Sequence, residues 1–175
     1  MIYVLAYPEF DPSCAHRICE FRTKHEPHRA KLVPPHITLV FGAKHAHLQI
    51  ITELVETATS QMQAFPISFD DHAIEFDPFE QKYKIFLFCG NGSVRVTALH
   101  NQLCKGEHVA ELNSTHPFRP HMTIATYERR ADIERVDISD AGVLPLHGKL
   151  RALDVVRFAN GELSRLMTAP FLQLV

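Results

Sequence analysis

Pro34-Pro35-His36-Ile37-Thr38-Leu39 returns 85 positions later as Arg119-Pro120-His121-Met122-Thr123-Ile124. Each stretch reads proline, histidine, apolar, threonine, aliphatic. A β-strand turns successive side chains to opposite faces. His and Thr of each stretch therefore share one face, and the apolar residues take the other. The result is one imidazole and one hydroxyl, twice, on apolar-backed strands. Such a set can move protons and hold a phosphate. With 12 His in 175 residues, a bare His-x-Thr triplet arises by chance roughly 0.7 times. Requiring the proline and both apolar positions lowers that to roughly 0.01 per motif. These are the only two such triplets in the chain.

Working outward, residues 2–7 read as a buried strand. Asp11-Pro12-Ser13 starts a helix that runs to about His25, and Pro27 stops it. The first motif strand, 35–41, ends at Gly42. Leu48, Ile51, Leu54, Val55, Ala58 and Met62 recur with a helical period over 46–62. Phe65–Phe69 and Ala73–Phe76 are strand material, interrupted by Asp70-Asp71. The series then begins again. A strand over Tyr83–Phe88 leads through the Gly90-Asn91-Gly92-Ser93 turn to a helix. The Asn113–Pro117 loop follows, then the second motif strand over 121–126 and a short charged helix over 129–137. Residues 149–158 and 162–174 form a terminal hairpin around Asn160-Gly161. Both series read strand, helix, motif strand, helix, strand, with an offset of about 80 to 85 positions. This predicts an internal duplication in which a pseudo-twofold axis sets His36 and His121 facing each other across a cleft. The chain is expected to be a single domain over 1–175, with approximate lobes 1–80 and 81–175. Exchange of strands between the lobes stays open.

Apolar residues make up 46% and charged residues 22%, the composition of a soluble globular chain. The net charge of −2 offers no basic field for duplex DNA. No apolar run approaches the ~20 residues that span a bilayer. The apolar start, Met1–Tyr7, is too short for a signal peptide and meets Pro8-Glu9 at once. Cys14, Cys19, Cys89 and Cys104 form no Cys-x-x-Cys pair, which suits a reducing cytoplasm. His45-Ala46-His47 sits at a helix start, where residues i and i+2 point apart, so no metal is expected there. His116 and His121 flank a proline-containing turn and make no better a metal pair. Neither a phosphate-cradling glycine loop with its Lys-Ser/Thr nor a Gly-x-Ser-x-Gly elbow is present. A monomer is expected, since no coiled-coil heptads appear.

The two motifs, their order and their flanks resemble those of the 2H phosphoesterase superfamily. Its members include bacterial 2′-5′ RNA ligase-like proteins and 2′,3′-cyclic nucleotide phosphodiesterases. Phe118–Ile124 is particularly similar to the family's second motif. The resemblance implies an α+β, bilobal fold of two antiparallel sheets, flanked by helices, with the active cleft between the lobes. It implies His36 and His121 as the catalytic pair and Thr38 and Thr123 as phosphate holders. It further implies a cyclic phosphodiesterase that needs no cofactor or metal. The expected partner is a small phosphorylated nucleotide, a sugar phosphate or an RNA terminus. RNA ligase-like members often carry an arginine just past the second motif. Here Ala125-Thr126-Tyr127 stands there, with Arg129 and Arg130 further on, which argues against ligation.

Candidates for substrate contact lie near the motif strands. Tyr7, Phe41 and Tyr127 are placed to stack on a base. Arg119, two residues before His121, could reach a phosphate, and Arg130 is a second cationic candidate. Lys82 and Tyr83 stand where the second-half strand begins.

Overall fold

A computed structural model describes residues 1–105, 108 and 117–172. The strands are β1 (Ile2–Ala6), β2 (Glu9–Phe10), β3 (Ile37–Ala43), β4 (Phe65–Asp77), β5 (Lys82–Cys89), β6 (His121–Tyr127), β7 (Leu146–Leu150), β8 (Ala152–Ala159) and β9 (Glu162–Pro170). The helices are α1 (Pro12–His25), α2 (Pro27–Leu32), α3 (Leu48–Ser60), α4 (Ser93–Leu103) and α5 (Arg130–Ile133). Among the described residues the strands form one curled antiparallel sheet in the order β2-β7-β4-β5-β6-β3-β1-β8-β9.

Two separate sheets were expected, and one continuous sheet is found. The join is narrow, because β3 and β6 meet through the single pair Ile37↔Met122. Outward from this seam, each side runs from a motif strand to the strand that opens its series: β3 to β1, and β6 to β5. Strands are exchanged between the two sides. The early strand β4 pairs with β5, and the late strand β8 pairs with β1.

Local chemistry explains where the elements start and stop. The Asp11 carboxylate accepts from the backbone N–H of Ser13 and Cys14, at 3.0 and 3.1 Å, and caps α1. Asp70-Asp71 does not break the strand as expected. β4 runs through it with a bulge against β5, and both aspartates stay exposed. A Cβ on Gly90 would lie 1.7 Å from the Asp70 carboxylate, so a larger residue there would require the exposed Asp70 side chain to move. The helix expected over 129–137 is confined to Arg130–Ile133, followed by a 3-10 turn at Ile138–Ala141. The strand expected over 149–158 is two strands. The chain leaves β7 at Leu150, passes Arg151, and enters β8 on the far side of the seam. Asn160 and Gly161 both have positive φ, 54° and 79°, as a tight two-residue hairpin requires.

The main core lies between the sheet and its helices, with Ile18, Phe21, Ile51, Val55, Val96 and Leu99 against Ile37, Leu39, Met122 and Ile124. A small second cluster, Leu5, Val33 and Val156 with Tyr3, Tyr7 and Leu163, covers part of the opposite face. No described helix is long and apolar enough to cross a membrane.

Candidate active site

Each motif strand divides its side chains as period-2 alternation requires. Ile37, Leu39, Met122 and Ile124 are buried in the main core. His36, Thr38, His121 and Thr123 are half-buried on the other face. The antiparallel pair Ile37↔Met122 sets His36 opposite Thr123 and Thr38 opposite His121. The four polar side chains thus form a diagonal quartet about the seam.

Both imidazoles are fixed in the same way. His36 Nδ1 is 2.8 Å from the Pro34 carbonyl, and His121 Nδ1 is 2.7 Å from the Arg119 carbonyl. A carbonyl oxygen only accepts, so Nδ1 carries the proton in each ring. Nε2 is left as the lone-pair nitrogen of the neutral imidazole. A proline before each histidine disfavours helical backbone at the residue whose carbonyl accepts this bond.

A bulge follows the threonine in both strands. Thr38 pairs with Leu5 and Val40 with Val4, which leaves Leu39 extra. Thr123 pairs with Phe86 and Ala125 with Ile85, which leaves Ile124 extra. The bulge shifts the alternation by one. Phe41 therefore emerges on the His36 side, 58% exposed. His100 on α4 donates from Nδ1 to the Leu39 carbonyl at 2.8 Å and stacks on Phe118 at 3.8 Å.

Burial dominates the electrostatics. It pushes the His36 pKa down to about 4; the hydrogen bond to Pro34 opposes this, and Arg29, Arg22 and His121 add to it. Burial also lowers the His121 pKa. The Arg119 carbonyl and Glu75 oppose this, and Lys84 and Arg119 reinforce it. Burial thus holds both rings toward the neutral form.

Beside His36 and Thr38 a cavity of about 210 Å³ is walled by Tyr3, Leu5, Phe41 and Leu163, with Arg29 and Glu80 at its polar end. Arg29 and Glu80 belong to an alternating chain of charges. Arg22 Nε donates to Glu26 at 2.5 Å and Arg22 Nη1 to the Val33 carbonyl at 2.9 Å. Arg29 Nε lies 3.7 Å from Glu26, and Arg29 Nη1 donates to Glu80 at 2.8 Å. Lys84 Nζ closes the chain, 2.9 Å from Glu80 and 2.5 Å from Asp77. Thr126 donates to the other Glu26 oxygen at 3.1 Å. Sequence reasoning missed this chain. The spacing of Arg22, Glu26 and Arg29 is a local helix-pair signal, but Glu80, Lys84 and Thr126 join only through the fold.

The remaining candidates divide. Tyr7 approaches His36 edge-on with ring centroids 6.3 Å apart. Burial, with Asp154 adding, pushes its hydroxyl up to about 12, so it stays protonated. Arg119 lies over Phe88 at 3.7 Å and pairs with Glu75 at 3.2 Å, while Phe88 in turn meets the His121 ring edge-on. Tyr127 is not brought to the cavity. It falls beyond the bulge, and its hydroxyl is hydrogen-bonded to His25 of α1 at 2.7 Å. Arg130 is not brought there either; it is exposed on α5 and donates to Glu134 at 2.7 Å. Lys82 sits 4.0 Å from Glu128, and the neighbouring cation that does approach the site is Lys84. His45–His47 forms a 3-10 turn, and no group of three metal-ligating side chains gathers among the described residues. His116 and most of the Asn113–Pro117 loop lie outside the described residues. Burial raises the thiols of Cys89 and Cys104 to about 12 and about 11, which leaves them weakly nucleophilic.

A single sheet with paired His-x-Thr strands at its seam defines a class of protein, and comparison with known proteins agrees. The family model of the 2′-5′ RNA ligase superfamily matches residues 10–162. The Oceanobacillus iheyensis protein OB1230, which its name assigns provisionally to the phosphoesterases, is 30% identical over 130 residues, 73% of this chain and 69% of that one. Escherichia coli LigT, solved with 3′-AMP, has the same fold at a TM-score of 0.60 and 18% identity, covering 98% of each chain. TT0787 of Thermus thermophilus also matches, at a TM-score of 0.60 and 21% identity over 96% of this chain and 97% of that one. The chain belongs to the 2′-5′ RNA ligase superfamily, the 2H phosphoesterases.

Proposed function

We propose that this phosphoesterase opens a cyclic phosphodiester without a metal, using His36 and His121 as general base and general acid. The observation that carries the reading is the matched tethering of the two rings, which leaves Nε2 of each for proton transfer. One Nε2 takes a proton from water as the water oxygen bonds to phosphorus. The ring P–O bond breaks, and the other ring, as imidazolium, gives its proton to the leaving oxygen. The product is a phosphomonoester beside a free hydroxyl. Thr38 and Thr123 donate hydrogen bonds to the non-bridging oxygens. Each proton transfer typically contributes about 10²–10⁴ in rate.

A small substrate fits better than a long RNA. The cations nearest the quartet are already matched by carboxylates: Arg29 with Glu80, Lys84 with Asp77, and Arg119 with Glu75. Few charges remain to follow a phosphate backbone. LigT has been solved with 3′-AMP, NADP+ and ATP. A 2′,3′-cyclic nucleotide, ADP-ribose 1″,2″-cyclic phosphate or a cyclic RNA end is the substrate class proposed. The test is phosphorus NMR of these esters and of 2′-5′-linked oligonucleotides, with EDTA present. Turnover that survives EDTA is expected. Tight binding without turnover across the panel would instead make the chain a nucleotide or RNA-end binding protein.

The depressed imidazole pKa values predict proton-linked binding. An anion between the rings favours their charged forms, so phosphate or a nucleoside monophosphate should bind with proton uptake near pH 6. Calorimetry in buffers of different ionisation enthalpy reads this directly, and no uptake would contradict it. The same depression acts on stability. An unfolded His protonates near pH 6.5, whereas folded His36 does so only near 4. The unfolded state binds the extra proton between those values, so the ring's effect is to lower stability as pH falls from about 6.5 to 4.

A further inference from the structure

The motif strands meet through one backbone pair, Ile37↔Met122, so side chains beneath the seam share in holding them together. We infer that His100, on α4, is a positioning residue: it clips the bulge of the first motif strand to the lead-in of the second, and so fixes His36 and His121 relative to each other. This rests on the phosphoesterase reading above. His100 Nδ1 donates to the Leu39 carbonyl at 2.8 Å. Leu39 is the bulged residue directly after Thr38. The same ring lies flat on Phe118, with centroids 3.8 Å apart and planes 5° from parallel. Phe118 directly precedes Arg119, whose carbonyl tethers the His121 ring. One imidazole thus touches the first motif one residue past its threonine and the second motif one residue before its tether.

The clip is mounted on a fixed element. Val96, Leu99 and Leu103 anchor α4 in the main core. Cys104, at the end of the helix, flanks the His100 bond, with Sγ 3.5 Å from Nδ1 and 3.9 Å from the Leu39 carbonyl. The carbonyl only accepts, so Nδ1 carries the proton. On the other side, the Pro120 carbonyl accepts from the Cys89 N–H at 2.9 Å, so the lead-in to the second motif is held between β5 and α4. A bulge bends and twists its strand, and the His100 bond sets the direction of the carbonyl at that bend. Without it, His36 and Thr38 are free to shift against His121 and Thr123. A misplacement of about 1 Å can cost about 10²-fold in rate, even when its cause lies away from the reacting atoms.

The test uses His100→Phe, which keeps a ring for Phe118 but has no donor, and His100→Asn, which keeps an N–H for the Leu39 carbonyl. His100→Phe is expected to lower kcat for 2′,3′-cyclic AMP by roughly 10- to 100-fold, while KM and the Kd for inorganic phosphate change little. Rates are taken per phosphate site counted by calorimetry, so that unfolded protein does not pass for slow enzyme. His100→Asn should lie between His100→Phe and the wild type. Phe118→Leu, which leaves the donor in place but removes the flat face, should show the same split of kcat from KM, and it decides the matter if His100→Phe does not fold. In protein labelled with ¹⁵N-histidine, both His100→Phe and Phe118→Leu should move the ring resonances of His36 and His121. Unmoved resonances, a phosphate affinity that falls as far as kcat, or a His100→Asn no better than His100→Phe would overturn the clip. A wild type that opens no ester, with both resonances moved in the variants, keeps the clip and removes the catalytic reading. Turnover by wild type and variants alike, with unmoved resonances, does the reverse.

Discussion

With His36 and His121 both changed to alanine, opening of 2′,3′-cyclic nucleotides is expected to fall to background. Each single change should cost about 10²–10⁴ in kcat. The double variant should lose little more than the worse single, because both rings are proposed to serve one displacement. Packing and proton transfer can be separated. His36→Asn and His121→Asn each carry a carboxamide N–H able to donate to Pro34 or Arg119 in place of Nδ1. They should keep the tether and melt near the wild type, yet show the same kinetic loss as alanine. Full cyclic phosphodiesterase activity in the double alanine variant would refute the two-histidine mechanism.

The largest expected effect on stability comes from Glu26→Ala. The Arg22 and Glu26 side chains are each 1% exposed and lie 2.5 Å apart. Arg22 also holds the Val33 carbonyl, and Glu26 holds Thr126. Removing the carboxylate leaves a buried guanidinium without its counter-charge, which typically costs about 3–5 kcal/mol. For a chain of this size that lowers Tm by roughly 6–20 °C. Replacing the pair together, Arg22→Met with Glu26→Leu, should cost much less, since both desolvation penalties vanish with the charges. Thermal and urea melts of the single and double variants check this. A Glu26→Ala loss below about 1 kcal/mol would mean that water reaches the pair.

The site was more legible in the sequence than the sheet that carries it. His36, Thr38, His121 and Thr123 declare themselves because alternation along a strand is a local rule, and their placement on one face follows from it. Phe41 was readable as a candidate, but its emergence beside Thr38 depends on a bulge at Leu39 that no local signal announces. Tyr127 and Arg130 are carried away from the cavity for a related reason. Nearness in sequence says little once a bulge and a following turn have redirected the chain. Tyr127 turns to α1, and Arg130 joins Glu134 in solvent. The sheet's continuity was illegible because it rests on one backbone pair. The break between β7 and β8 at Arg151 was hidden because no Gly or Pro marks it in Leu150-Arg151-Ala152-Leu153. The charge chain was hidden most deeply, since its members come from α1, the α1–α2 junction, α2, β4, the β4–β5 turn, β5 and β6.

The seam at Ile37↔Met122 carries a consequence for how such a site adapts. A long ladder would dictate the separation of the two imidazoles in fixed steps of backbone geometry. A single bridge leaves that separation to the bulk beneath it, where Ile37, Leu39, Met122 and Ile124 rest on the helices. The gauge of the gap between the two imidazoles is thus written in the volume of apolar side chains on the opposite face. Enlarging or trimming them can tune the gap to a wider or slimmer phosphodiester while both His-x-Thr motifs stay as they are.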